Sequence, residues 1–427
     1  MIESNTETFD PLKVKRLPIS KLLKQIGPGI ILTGTTIGPG LLTTAAMLGA
    51  NFNYSLLWLF IPIAIMGFAF VYSSYLVSLL TDKPVIHAIR HYYGGKAAAF
   101  VGITLFISCT FFTIGNITGT GAGMHLIFGM DWKIGAIIML IVLSLIYLSK
   151  NVYNKVEGIM SVLVFGMAIA FMYTLIDIGG PDYNQVSDGF FHWSIPAGGM
   201  LTIVGFLGSS ASITTGVYGT YLAKEKGWKK ENLFNGSIMA DTISHIIGVV
   251  LITSIIMMVG AVVLYTTQSQ IKSPADLAEM LTPTMGKRLA SFVMGVALVS
   301  AAFSSITGNT TRSVVLLNAG FDKPTHFEDS SIRRNSIIIL VISAIIAFTY
   351  GGSPTQLILI SNVLTNIATP VAGFYMCRLI LKEEIYQKFG MKRPTWIVVM
   401  YYVSYIVYVF FTVLLLSERI PKLINML

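Results

Sequence analysis

Residues 34–41 read Gly34-Thr35-Thr36-Ile37-Gly38-Pro39-Gly40-Leu41, a knot of glycine, proline and hydroxyls inside an otherwise apolar run, 25–50. Proline removes a backbone donor and clashes with the preceding turn, while glycine lowers the cost of leaving helical dihedrals. A bilayer core of ~30 Å is crossed by about 20 apolar residues in helix. The stretch therefore predicts a membrane helix interrupted near mid-depth. A second knot, Gly205-Phe206-Leu207-Gly208-Ser209-Ser210-Ala211-Ser212-Ile213-Thr214-Thr215-Gly216, lies in the run 197–222. Each is followed or closed by a Thr-Thr pair, Thr43-Thr44 and Thr214-Thr215.

Composition fixes the solvent. Of 427 residues 54% are hydrophobic and only 11% charged, against roughly 25% charged in soluble domains. Such a chain cannot clothe a water-facing surface. Lipid cannot satisfy open backbone groups, and no barrel-like alternation is present, so the expected fold is all-α. Apolar runs fall at about 25–50, 54–80, 97–127, 133–149, 155–178, 197–222, 235–266, 286–317, 333–350, 354–381 and 394–417, which predicts about eleven transmembrane helices.

The net charge of +9 does not point to nucleic acid, because the basic residues sit in short segments between apolar runs. Alternate segments, starting with the N-terminal tail, hold 23 of the 29 lysines and arginines, counting Arg312 with the segment 312–334. That bias places the N-terminus in the cytoplasm and the C-terminus outside, in a cell (plasma) membrane. The first apolar run is too long and too late for a cleavable signal peptide. Cys109 and Cys377 lie in apolar runs and imply no disulfide framework.

The two broken helices are the first and the sixth, five crossings apart, so they enter from opposite sides. This predicts two inverted five-helix repeats, 25–178 and 197–381, after a cytoplasmic tail 1–24 and before an eleventh helix 394–417. Matching interrupted helices are the sequence mark of a transporter site, because unwound segments free carbonyls for cations and amides for anions. Glycine packing alone would explain either knot singly, less well both at equivalent places. Candidate solute-binding residues are Thr35, Gly38, Pro39, Gly40, Leu41, Ser209, Ser212, Thr215 and Asn362. The cores of helices 1, 2, 3 and 6 carry no Asp, Glu, Lys or Arg. Glu157, Asp241 and His245 stand near helix ends, and Asn116, Asp241 and His245 are the candidates for a polar or proton relay. His87 and His91 have a metal-ligand spacing but no accompanying Glu, and read better as an amphipathic face.

Taken together, Gly27-Pro28-Gly29, the broken helix 1, Ala50-Asn51-Phe52-Asn53-Tyr54-Ser55-Leu56-Leu57-Trp58, Leu207-Gly208, Ser304-Ser305-Ile306-Thr307-Gly308, Ser361-Asn362-Val363-Leu364 and Pro370 resemble the Nramp family of proton-coupled divalent-metal transporters. The resemblance implies the LeuT/APC-type inverted-repeat fold and alternating access. The family's DPGN motif falls on Gly38-Pro39-Gly40-Leu41, and its Met-Pro-His motif on Ser212-Ile213-Thr214. Its helix 10 glutamine falls on Asn362, and the acidic positions of helix 3 fall near Thr113 and Asn116. A soft thioether selects transition metals, and a divalent ion entering low dielectric needs compensating negative charge. Both are gone here, so no confident metal ligand is assigned.

The substrate expected from the residues is a small organic solute, an amino acid or amine. The run Ile37–Leu41 also resembles the glycine-rich helix 1 turn of amino-acid permeases. The alternative, from the family, is a divalent cation such as Mg²⁺ or Mn²⁺. A third class, a membrane-embedded enzyme or receptor, finds no nucleophile–base constellation. No cofactor is expected, and the coupling ion is Na⁺ or H⁺.

Overall fold

In the computed structural model residues 11–424 are described, apart from 149, 328 and 352; the first ten residues of the expected tail and the side chain of Glu157 lie outside what is described. Regular structure among the described residues is helical. In chain order the helices are α1 (Ile19–Gln25), α2 (Pro28–Thr36), α3 (Pro39–Phe52), α4 (Phe60–Thr81), α5 (Val85–Phe128), α6 (Trp132–Leu148), α7 (Lys150–Asp177), α8 (Tyr183–Phe191) and α9 (Met200–Ser210). They continue with α10 (Ile213–Glu225), α11 (Lys230–Phe234), α12 (Ser237–Val259), α13 (Thr282–Gly320), α14 (Ser330–Thr349), α15 (Pro354–Leu364), α16 (Ala368–Ile380), α17 (Glu383–Gln387) and α18 (Thr395–Ile424). Among the described residues eight spans are long and apolar enough to cross a membrane, with α9–α10 and α15–α16 each taken as one, and the bent pair α2–α3 makes a ninth. Shorter apolar stretches lie at Trp132–Leu145 and Phe165–Asp177.

Lipid is the solvent for a clear set of faces. Ile134, Ile137, Ile138, Ile141 and Leu145 on α6 are exposed, as are Ile338, Val341, Ile342 and Ile345 on α14 and Val399, Val403, Ile406, Phe410 and Val413 on α18. These are stripes at helical spacing. The apolar hollow between α6 and α14, lined by Ile137, Leu140, Ile141, Leu340, Val341 and Phe348, belongs to this lipid-facing surface and has no chemistry to offer.

At the centre α5 and α13 run antiparallel in close contact. A Cβ added to Gly102 would stand 2.7 Å from Gly320 Cα, and one added to Gly123 would stand 2.9 Å from the Gly295 carbonyl. Without a hydrophobic drive between helices in lipid, small residues that let backbones approach supply the packing. Both helices turn sharply near one end, at Gly94 (φ 86°) and Gly286 (φ 70°), where a side chain would be strained.

Several segments expected as loops are partly helical. The segment 81–96 between two expected spans is mostly the first part of α5, and 223–234 contains α11. The segment 177–195 contains α8, whose start is capped by Asp182 accepting from the amides of Asn184 and Gln185. That cap is an ordinary N-terminal signal.

Candidate functional site

The first interruption is where α2 meets α3 at a 63° bend. Ile37 (φ −80°, ψ 85°) and Gly38 (φ −115°, ψ 173°) leave helical dihedrals, and Pro39 opens α3, where its missing N–H costs nothing. Gly38 is needed for space: a Cβ there would stand 2.5 Å from both Asn116 Oδ1 and Ser305 Oγ. The freed backbone groups are taken up by side chains from three other helices. The Gly40 amide donates to Asn116 Oδ1 (3.1 Å), and Asn362 Nδ2 donates to the Gly40 carbonyl (3.1 Å). The Thr35 carbonyl accepts from Ser305 Oγ (3.0 Å) and Asn309 Nδ2 (2.8 Å), and Asn116 Nδ2 donates to Ser305 Oγ (2.8 Å). This is the accounting lipid enforces, since unpaired backbone there is costly.

The second interruption lies between α9 and α10. Ala211 (φ −127°, ψ 29°) ends α9, and Ser212 caps α10, its Oγ accepting from the Thr214 amide at 3.3 Å. A narrow cavity of ≈ 20 Å³ sits against this break, lined by Thr36, Ser108, Cys109, Phe112, Gly208, Ser209, Ser212, Thr214, Thr215, Asn309, Arg312 and Thr365. That is room for about one water molecule.

Arg312 is the one fully charged group in this lining. It is buried, with 5% of its surface exposed. Its Nη2 donates to Thr35 Oγ1 at 2.5 Å, and its guanidinium lies 5.0 Å from the centre of the Tyr218 ring. No ion pair joins it to a carboxylate among the described residues. Three lining atoms have no hydrogen-bond partner: Arg312 Nε, Thr36 Oγ1 and Asn309 Oδ1. Buried polar groups are nearly always paired, so three orphans around one cavity mark a place built to receive something polar.

The protein-family model described as natural resistance-associated macrophage protein-like matches residues 29–418. The chain belongs to the Nramp family. Among its curated relatives, the divalent metal cation transporter MntH of Caldanaerobacter subterraneus is 22% identical over 384 residues, covering 88% of each chain. MntH of Listeria monocytogenes is 24% identical over 417 residues, covering 92% of this chain and 89% of the relative. A crystal structure of the Eremococcus coleocola manganese transporter superposes with a TM-score of 0.79 at 16% identity, covering 98% of this chain and 91% of that one. Mhp1, a nucleobase-cation-symport-1 family transporter, gives 0.60 at 14% identity, over 83% and 78%. At such identities the likeness concerns the fold, which is LeuT-like. An Nramp-family chain is a secondary transporter and not an enzyme.

Against the Nramp motifs, the residues expected at the site divide in two. Ser209, Ser212 and Thr215 line the cavity, and Thr35 touches it through Arg312. Gly38, Pro39, Gly40 and Leu41 lie outside the lining, in the wall of the helix 1 break. Pro39 packs on Gly119, Leu41 is in the apolar core, and Asn362 reaches the Gly40 carbonyl rather than the cavity. Thr43 and Thr44 spend their hydroxyls on Pro39 and Gly40 carbonyls of their own helix. Sequence reasoning missed Ser108, Cys109 and Phe112 of α5, Asn309 and Arg312 of α13, and Thr365. Arg312, counted with an inner loop, is instead well inside α13. The uncharged run Ser313–Gly320 that follows it was the available signal.

Of the relay candidates, Asn116 serves the α3 side of the break. Asp241 and His245 hold α2: Asp241 Oδ1 accepts from the Gly27 amide at 2.9 Å, and His245 Nδ1 lies 3.0 Å from Thr33 Oγ1. Tyr75 Oη also donates to Asp241 at 3.4 Å. No three His, Cys, Asp or Glu side chains cluster to hold a metal among the described residues. Cys109 and Cys377 are both free and buried. His87, the inner member of the expected His pair, lies 3.1 Å from Tyr221 Oη.

Proposed function

We propose that this Nramp-family transporter carries a small polar organic solute, of the amino-acid or amine size class, by alternating access at the α9–α10 break. The observation that carries this reading is the chemistry of the cavity. Its lining offers hydroxyls, an amide, a guanidinium and a single thiol, three of the polar atoms unpaired, and no carboxylate, imidazole or thioether. Those groups suit a solute with several hydrogen-bonding atoms. A bare divalent cation would meet a fixed positive charge with no acid to offset its desolvation. The cavity's small volume fits a closed form, and in this reading α2 and α10 are the half-helices that rearrange as access alternates.

In this reading the chain makes eleven crossings arranged as inverted repeats 25–178 and 197–381, with 394–417 as the last helix, in the plasma membrane with its N-terminus inside. The two breaks, between α2 and α3 and between α9 and α10, support it. Coupling to H⁺ would use Asp241 and His245, the buried titratable pair that holds α2; coupling to Na⁺ would use carbonyls at the breaks.

The second reading is divalent-cation transport, and the names of the curated relatives favour it over the organic solute. It requires Mn²⁺ or Mg²⁺ to be carried on carbonyls, hydroxyls and retained water. Uptake into proteoliposomes separates the two. Accumulation of amino acids or amines without Mn²⁺ or Mg²⁺ supports the first; metal accumulation with no organic uptake replaces it with the second.

A further inference from the structure

Resting on the organic-solute reading, we propose that Arg312 is the anion-binding group of the transport cavity, and that the solute it selects bears a carboxylate. A buried arginine in a membrane interior is expensive and is normally matched by an acid. Asp241 is bonded to the Gly27 amide and Tyr75, and among the described residues no ion pair links any Asp or Glu to Arg312. What the guanidinium does have is one hydroxyl, Thr35 Oγ1, and the face of Tyr218. Both hold it in place without neutralising it. The Nε edge is unpartnered, and Arg312 lines the cavity.

A second feature of the same cavity has the same sign. Ser212, Thr214 and Thr215, the cap and first turn of the 13-residue helix α10, line it, so the positive end of that half-helix is turned to the space Arg312 borders. Helix N-termini favour negative charge. Thr36 Oγ1 adds an unpartnered hydroxyl that can donate. A carboxylate has two oxygens and about four acceptor sites, and guanidinium is the side chain whose planar fork matches it. Asn309 Oδ1, the orphaned acceptor of the lining, is then left to receive an N–H or O–H of the same solute, which is the pattern a 2-amino or 2-hydroxy acid presents.

The test is a matched-pair melting screen on the full-length chain in detergent or nanodiscs, since a ligand that binds the native state raises its apparent stability. The probes are the standard amino acids and lactate, each beside its uncharged amide, with MnCl₂ and MgCl₂ as separate arms. The expected result is a concentration-dependent rise with at least one acid, at least tenfold weaker for its amide. In Arg312→Gln the preference for acid over amide should vanish, and in Arg312→Lys it should persist with reduced affinity. Should Arg312→Gln not fold, Arg312→Lys and the acid–amide comparison in the unaltered chain still decide. Amides or amines that bind as well as acids overturn the inference and leave the organic-solute reading standing. Shifts with Mn²⁺ or Mg²⁺ alone overturn both. No shift with any acid overturns the inference, as does equal acid preference in Arg312→Gln.

Discussion

Asp241 Oδ1 accepts a hydrogen bond from the Gly27 amide at 2.9 Å, so a buried carboxylate of α12 caps the first turn of α2. An α-helix begins with amides that have no partner within it, and here a neighbouring helix supplies one. Glycine is what permits the approach: a Cβ on Gly29 would stand 2.3 Å from the Asp241 carbonyl. The first half of the broken helix, α2, is therefore anchored at its start by Asp241, in its middle by His245 through Thr33, and at its end by Ser305 and Asn309 through the Thr35 carbonyl.

Replacing Asp241 by alanine leaves the Gly27 amide and Tyr75 without this acceptor. The expected loss is about 1–3 kcal/mol, the usual cost of orphaning a buried donor, measured as a lower melting temperature of the purified chain. Asp241→Asn, which keeps an acceptor oxygen, should lose less. Equal stability of Asp241→Ala and the unaltered chain would show that the cap contributes nothing.

Gly49 and Gly166 should respond to alanine in opposite directions. A Cβ on Gly49 would meet the Met257 carbonyl at 2.0 Å and the Ala261 amide at 2.7 Å, both backbone, whereas nothing lies within 4 Å of one on Gly166. Gly49→Ala should lower stability by about 1–3 kcal/mol through overpacking. Gly166→Ala should raise it by up to about 1 kcal/mol through helix propensity. A stable Gly49→Ala would mean that α3 and α12 sit farther apart than described.

Ser212→Ala removes the α10 cap and should cost about 0.5–2 kcal/mol, with a larger proportional loss of transport because Ser212 also lines the cavity. Gly38→Val should abolish transport outright, since its side chain would enter the space of Asn116 Oδ1 and Ser305 Oγ. Normal uptake by both variants would move the working site away from the breaks.

Cys109 offers a reporter that needs no mutation. It lines the cavity, and the chain has only one other cysteine, Cys377, buried elsewhere. A small membrane-permeant thiol reagent should inhibit uptake, and Cys109→Ser should be resistant. A transported solute should slow the modification. Inhibition that persists in Cys109→Ser would place the reactive thiol outside the cavity.

The breaks were legible because their causes are local. Proline at 39 between glycines 38 and 40 can hardly continue a helix, and the glycines and hydroxyls of 205–216 mark the second interruption in the same local way. Eight spans, and the bent pair α2–α3 as a ninth, were legible through apolar run length among the described residues. The cavity was only half legible. Ser209, Ser212 and Thr215 share a segment with the break, whereas Ser108, Cys109 and Phe112 sit mid-way along α5, where small polar residues and apolar packing look alike in sequence. Arg312 was obscured by topology counting, which treats an arginine near the end of an apolar run as a loop charge. Its placement depends on α2 and α10 folding over it, a relationship between residues 35, 218 and 312 that no local window contains. The helical start of α5 was obscured similarly, because Arg90 and Lys96 punctuate hydropathy without ending the helix.

The glycine contacts between α5 and α13 divide the molecule by the kind of bond that joins its parts. Two separated points, Gly102 on Gly320 and Gly123 on Gly295, act as a pair of bolts: sliding one helix by a single 1.5 Å residue step would drive a side chain into main chain at both. These two helices are thus locked as a beam. The broken helices are fastened to that beam by hydroxyl, amide and guanidinium tethers and by close packing of Pro39 on Gly119 and Thr35 on Gly308. Each tether is a single side chain, so substitution can cut them one at a time while the glycine contacts of the beam stay in place.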